Sequence, residues 1–462
     1  MKDIDLILAL PASKAVKELQ KKPYNIPSWS VLINDYEPTL HSILTDPMGR
    51  KDKFDSNGNL IGKASRIYIG LEKLLTNRMT EFCFAIPVKR VYRNTEDNPK
   101  RQEIAKAIES IYKHARIDSE NRRRSVAYFA SCETCTIWYT VNSPNTLYGF
   151  KSNYKLKCKT FSPMNGNKLY PLFDEYGDMI AMSFKYDVKS GDENMTYFET
   201  FTSNKHIKWV LNGTSWEQLG ESEDVSILKI PAIYMSRPKP IYAGLSYLRE
   251  EIEYTLSRNS DIIAYNASPV LKVSGEIVGA EEKGEARRVY RMENGGDVSY
   301  VSWNQSIESM KYQVETMLKL FWTQSQMPDI SFESMKALGN IGYDARQTLL
   351  TDAHLKVGDE SWAFIEAFER ETNVIKAFLK EMNTSWADEI DNVSVEHIIT
   401  PFIQNDEKAE IDKWVNACGG KAVVSQLEAI KYLGVSDDAE GTLKQIKEEE
   451  ADSSIRKVDV FG

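Results

Sequence analysis

Apolar residues at helical spacing dominate the first part of the chain. "ASRIYIGLEKLLTNRMTEFC" and "RQEIAKAIESIYKHAR" both place aliphatic side chains three and four positions apart. Residues 1–130 therefore read as mostly helical, with "EFCFAIPVKRVYR" a short strand ending in a basic cluster. From about residue 125 to 235 the period falls to two. "KLYPLFD", "MIAMSFKYDV", "TYFETFT" and "HIKWVLN" alternate apolar with polar residues, and Gly-containing turns separate them. That pattern predicts an antiparallel meander. "SVAYFASCETCTIWYTV", rich in β-branched, aromatic and small residues, reads as a strand at its start.

After the Pro-rich connector "SRPKPIYAG" the helical period returns. Residues 244–267 predict a helix about 36 Å long, with Leu245, Leu248, Ile252, Leu256 and Ile263 as its apolar stripe. Residues 306–327 predict one of about 33 Å, with Lys311, Glu315 and Lys319 on a polar face. Between them, 268–305 has strand-like runs and Gly-containing turns. Two helices of nearly equal length flanking a compact insert predict an antiparallel stalk with the insert at its tip. A third helical run, 343–382, extends about 60 Å with Gly358 as a kink point. Its Trp362, Phe364, Phe368 and Phe378 are expected to form a packed spine. "VSVEHIITPFI" reads as a strand, and residues 406–452 as a small helical module with a Ser N-cap in "VSQLEAIKYLG". The last ten residues read as a tail.

"TQSQMPDISFESMKALGNIGYDARQTLL" (323–350) interrupts the second and third of these helices. The break spans about fifteen residues, where helix–helix connections usually need two to eight. Pro328 is expected to end the incoming helix, because it lacks an N–H and its ring clashes with the preceding turn. Gly339 and Gly342 let the chain re-enter a helix through conformations that other residues avoid.

The net charge of −9 argues against a surface that grips nucleic acid by bulk positive charge. Pro11 and two aspartates break the N-terminal apolar run, which does not read as a signal peptide. No stretch is apolar for the roughly 18 residues that a membrane-spanning helix needs. Cys132 and Cys135 are spaced as half a zinc site, yet no second such pair accompanies them, and a strand carrying two thiols is the plainer reading. "GAEEKGEA" has glycines at P-loop spacing but lacks the Lys-Ser/Thr that meets phosphate and Mg²⁺. His41, His114, His206, His354 and His397 are scattered. No catalytic residues, metal or cofactor are therefore assigned.

The ordered set of helical N-terminal region, meander, stalk helix, insert, stalk helix, loop, very long helix, returning strand and helical C-terminal module resembles the portal protein family of tailed bacteriophages. "LREEIEYTLSRNSDIIAYNASPVLKVSG", "VSWNQSIESMKYQVETMLKLFWTQSQMPDI" and "SPMNGNKLYPLFDEYGDMIAMSFKYDV" carry the resemblance, which covers roughly residues 60–445. It implies an α+β portal fold. Its parts would be a wing over residues 1–243, stem helices at 244–267 and 306–327, a small α/β clip at 268–305 and a tunnel loop at 328–342. A long kinked wing helix with a returning strand at 343–405, a helical crown at 406–452 and a tail at 453–462 complete it.

The same resemblance implies a ring of about twelve copies at one capsid vertex, passing double-stranded DNA during packaging and ejection. Its implied partners are the terminase large subunit, the head–tail adaptor, and the major capsid and scaffold proteins. Its implied place is the virion, after assembly in the host cytoplasm. Phe332, Ser334, Met335, Lys336 and Asn340 are then the candidate channel residues, on a loop whose Asp329, Glu333 and Lys336 leave local charge −1. Lys336 either meets the DNA path or pairs with Glu333 on a surface turn. Arg287, Arg288 and Arg291 are the candidate clip contacts, either to a partner or between neighbouring clips. The first stem helix carries net charge −2 (Arg249 and Arg258 against Glu250, Glu251, Glu253 and Asp261), and the second is neutral, as a wall that lets DNA slide requires. A metal-dependent nucleic-acid-processing enzyme and a capsid-associated scaffold or adaptor without a channel are the alternatives.

Overall fold

The computed structural model describes residues 4–21, 25–45, 50–96, 98–190, 193–266, 270–274, 277–282, 288–292, 297–301, 307–329, 348–402, 407–419, 422–433 and 438–458. It is a mixed α+β structure that divides into two compact units: residues 1–329 with 352–402, and residues 330–351 with 403–462.

The larger unit opens with short helices α1 (Ile4–Leu8), α2 (Ala12–Leu19), α3 (Trp29–Tyr36) and α4 (Ser42–Thr45). A small hairpin follows, β1 (Lys53–Phe54) with β2 (Leu60–Gly62), which the sequence reading took for helical territory. Next come α5 (Leu71–Phe84), β3 (Lys89–Arg93), α6 (Pro99–Ala115) and α7 (Ile117–Ser131). Residues 125–131, expected in a strand, are the last two turns of α7. Cys132 adopts a left-handed conformation (φ 65°), and this turns the chain abruptly into β4 (Glu133–Asn145). The two elements abut without a loop, so their apolar patterns merge in the sequence.

β4 sits between β5 (Ser152–Phe161) and a later strand in a three-stranded sheet. The predicted meander follows: β6 (Lys168–Phe173), β7 (Met179–Ser190), β8 (Glu193–Thr202), β9 (Lys205–Asn212) and β10 (Ser215–Gln218), each paired antiparallel with the next. β11 (Glu223–Asp224) adds to β9, and β12 (Ala232–Ser236) closes the other sheet against β4. The meander buries Phe184, Leu169 and Met182 on one face with Phe161 and Ile137. Phe198 and Trp209 pack against α1 and α2 on the other.

α8 (Ser246–Asn266) leads into β13 (Val270–Ser274), β14 (Ile277–Glu282), β15 (Arg288–Met292) and β16 (Asp297–Val301), and α9 (Ile307–Ser325) leads out. β13 pairs antiparallel with β16, Val270 opposite Val301, and β14 with β15. The helices pack on each other as the arms of a hairpin. The described insert residues are strands alone, where an α/β insert was expected.

α10 (Thr351–Met382) is the spine. Phe364 and Phe368 are fully buried against Phe84, Tyr128 and Phe129, with ring centroids 5.0 Å, 5.3 Å and 5.7 Å from Phe364. Glu371 accepts two bonds from Arg124, each 3.0 Å, and one from Trp138 Nε1 at 2.9 Å. Trp362, expected in this spine, is 71% exposed, because it lies two residues off the buried stripe. β17 (Ser394–Ile398) returns to pair with β3.

The smaller unit holds α11 (Glu407–Cys418), α12 (Gln426–Leu433) and α13 (Ala439–Val458). Ser425 caps α12 as expected. Its Oγ accepts from Glu428 N–H at 3.2 Å, and Glu428 Oε2 accepts from Ser425 N–H at 3.2 Å. The expected tail at 453–462 is helical as far as Val458, since nothing before it breaks the helix.

Candidate functional site

The helical hairpin and the residues just beyond it form the candidate site. On α9, Met317, Phe321 and Trp322 are buried, while Lys311 lies 3.7 Å from Glu315 on the exposed side, as the spacing predicts. On α8 the expected apolar stripe is only part of the buried face. Leu245 and Ile252 are buried, but Ile263 is 60% exposed.

A polar stripe takes the rest of that face. Arg249, Glu253, Ser257 and Asp261 recur every fourth residue and so lie in one row along about 18 Å of helix. Segment 65–72 runs alongside that row in the opposite direction. Arg249 Nε donates to Glu72 Oε1 (2.9 Å), and Glu253 Oε1 accepts from Ile69 N–H (2.9 Å). Ser257 Oγ accepts from Ile67 N–H (2.8 Å), and Asp261 Oδ1 from Ser65 N–H (2.9 Å). Three further groups complete the cluster. Arg249 also reaches Asp35 at 2.9 Å and Glu253 at 3.2 Å, His41 Nδ1 meets Glu253 at 2.6 Å, and Arg50 pairs with Asp261.

Arg249, Glu253, Glu72 and His41 are essentially inaccessible to water. Burial raises the Glu72 pKa, with Arg249 pulling against it. Burial works against the Arg249 charge too, but Glu72 and Glu253 more than offset it and raise its pKa. The net charge of the stem leaves open which of Arg249, Arg258, Glu250, Glu251, Glu253 and Asp261 face outward, and the structure decides it for Arg249 and Glu253. They are turned inward, and the signal for this was the unbroken every-fourth-residue polar row.

α9 ends at Ser325, before Pro328 can act on it. Gln326 takes a left-handed conformation (φ 55°) and its N–H donates to Thr323 O at 3.1 Å, while Met327 N–H donates to Trp322 O at 3.3 Å. This is a Schellman closure with Gln326 where Gly is usual, and the buried pair Met327 and Trp322 supplies its apolar contact. Pro328 then prevents resumption.

The exit is pinned from two sides. Arg78 lies over the Trp322 ring at 4.2 Å and donates to Pro328 O at 3.0 Å. From α10, Lys356 Nζ donates to Ser325 O at 2.5 Å. Burial lowers the Lys356 pKa, Glu360 opposes that, and Arg237 forks onto Glu360 at 3.0 Å and 3.1 Å.

Phe332, Ser334, Met335, Lys336 and Asn340 lie outside the described residues, as do Gly339 and Gly342. Arg287 does also. Arg288 and Arg291 are on β15, where their main chain pairs with Glu282 and Gly279 of β14. Cys132 and Cys135 are buried, and burial pushes the Cys132 thiol up to about 12. Among the described residues no group of three or more His, Cys, Asp or Glu is placed to hold a metal ion. No described helix is long and apolar enough to cross a membrane.

No curated protein matches the sequence. The structure is similar, at 10% identity and TM-score 0.38, to a chain in the neck of an empty gene transfer agent particle computed with C6 symmetry, over 87% of this chain and 95% of that one. It is also similar to a chain of the virion of a native gene transfer agent particle, at 10% identity and TM-score 0.36, over 91% and 98%. The family described as "Phage portal protein, SPP1 Gp6-like" matches residues 37–455. The chain therefore belongs to the SPP1 Gp6-like phage portal protein family: it is a structural, non-enzymatic component of the virion at the capsid portal, of a kind that forms rings.

Proposed function

We propose that about twelve copies of this chain close into a ring whose channel conducts double-stranded DNA during packaging and ejection. In this reading α8 and α9 are the stem, and the strands between them are the clip that docks the terminase large subunit and later the head–tail adaptor. The segment after Asp329 is the loop that meets DNA in the channel, with Lys336 towards the duplex and Phe332, Ser334, Met335 and Asn340 around it.

One observation carries the reading: the pinned exit of α9. A Schellman closure ends many helices, but an ordinary linker needs no arginine on its first carbonyl and no lysine reaching across from the next helix. Those contacts fix the main chain from Ser325 to Pro328, where α9 ends. The outward face of the stem supports the same function. With Arg249 and Glu253 turned inward and Lys311 beside Glu315, few cations remain to neutralise phosphate, so DNA is not held by salt-dependent contacts.

Deleting residues 331–337 while keeping Pro328, Gly339 and Gly342 tests this. Native mass spectrometry is expected to find rings near 630 kDa, roughly twelve times the 52.8 kDa chain. Particles carrying them are expected to package or retain DNA poorly. Normal packaging and retention would reject the channel role. Small symmetric oligomers in place of rings, from the unaltered chain, would reject the portal assembly itself.

A further inference from the structure

We propose that the groove between α7 and β5 docks an extended acidic peptide segment of a partner protein. The groove is a cleft of about 700 Å³. Three independent features of its walls point to that class of ligand.

The first is charge. Arg123 is paired with Glu120 at 2.5 Å. Arg122 on α7 and Lys159 on β5 both line the cleft, are exposed and have no carboxylate partner among the described residues. Lys159 Nζ lies over the Phe161 ring at 5.0 Å, on the face of β5 away from α7, so the two leave positive charge on either side of the β5 edge.

The second is a free strand edge. β5 ends its sheet, whose order is β12-β4-β5. Leu156 N–H faces away from β4, since it donates to the Tyr148 hydroxyl at 3.0 Å. The strand period of two puts the main-chain groups of Cys158 and Thr160 on that same side, and both residues line the cleft. An open edge is a template for another extended chain.

The third is Ser162. Its side chain is buried in the cleft wall, yet its Oγ has no hydrogen-bond partner among the described residues. A buried hydroxyl without a partner is costly, and a peptide amide or carbonyl would satisfy it.

Tyr139 and Met164 supply apolar wall for an aliphatic side chain between the carboxylates. Nucleic acid fits less well. Two free cations neutralise too few phosphates to resist salt, and a nucleotide chain cannot pair with a strand edge. A small anion would use neither the edge nor the apolar wall.

Fluorescence anisotropy on assembled rings tests the proposal with a labelled peptide of alternating Glu and Val. Gln–Val and Lys–Val counterparts, the peptide of residues 444–455 of this chain and a duplex oligonucleotide are the comparisons. The Glu–Val peptide is expected to bind, more weakly as salt rises from about 50 to about 300 mM. Arg122→Glu with Lys159→Glu is expected to lower its affinity about tenfold or more. Arg122→Gln with Lys159→Gln repeats the test should reversal disturb folding. Ser162→Ala is expected to lower affinity about threefold with unchanged thermal stability. Equal binding of the Gln–Val peptide, or indifference to both charge variants, overturns the proposal. Preference for the 444–455 peptide overturns it in favour of a neighbouring copy, and preference for the duplex overturns it in favour of nucleic acid.

Discussion

His397 shows what one buried side chain contributes. It sits on β17 at 5% exposure, and its Nε2 lies 2.9 Å from Thr372 Oγ1. Thr372 donates its own proton to Phe368 O at 2.9 Å and meets the Tyr112 hydroxyl at 2.8 Å. The Thr372 proton is thus committed, so His397 Nε2–H is the donor. Burial first, then Arg90 and Arg124, hold its pKa down to about 4 against an ordinary 6.5. Because the folded value is depressed, the unfolded chain takes up the proton first. The stabilisation is fully present above pH 6.5 and is lost as pH falls from 6.5 towards 4. The wild type is expected to lose up to about 3 kcal/mol across that window beyond what His397→Gln loses, measured by chemical denaturation at both ends. Equal losses in both proteins would place the acid sensitivity elsewhere. This role was not visible in the sequence, where His397 is a polar residue on a short strand. Its partners Tyr112 and Thr372 come from two helices distant in the chain.

At the scale of elements, legibility followed contrast. The hairpin helices and the meander strands were read to within a few residues, because their periods differ sharply from their neighbours'. α7 and β4 were fused into one strand, because both are apolar and a single left-handed residue, Cys132, separates them. The polar row on α8 was not singled out, because a buried charge is intelligible only beside its partner, and Glu72 lies 177 residues away. That row carries the prediction for this scale. Arg249→Ala leaves Glu72, Glu253 and Asp35 without their cation and is expected to cost about 3–5 kcal/mol. Hydrogen exchange should show faster exchange at Ile67 and Ile69 N–H, which bond to α8, while the meander keeps its protection. A cost of a few tenths would mean that the cluster is solvated and does not hold α8.

At the scale of the molecule, the family was legible in the order of zones, with no single motif carrying it. The candidate contacts belong to no such pattern: the channel residues and Arg287 lie outside the described residues, and Arg288 and Arg291 are placed only by the pairing of β15 with β14. In the proposed assembly, Arg287→Glu with Arg288→Glu is expected to weaken docking of terminase large subunit or adaptor about tenfold while rings still form. Pull-down on purified rings measures this, and normal binding of both partners would remove the docking role from these residues.

The polar row on α8 has a geometric consequence. Every partner named for it belongs to the same chain, so its strength does not depend on protein concentration, as contacts between copies do. Each subunit therefore meets its neighbour with the tilt of α8 already determined. In the proposed ring of about twelve copies, head-to-tail contacts close only if every step turns by the same angle, and a few degrees of error per step opens the circle into a helix. The row limits that error subunit by subunit, before any neighbour is present to correct it.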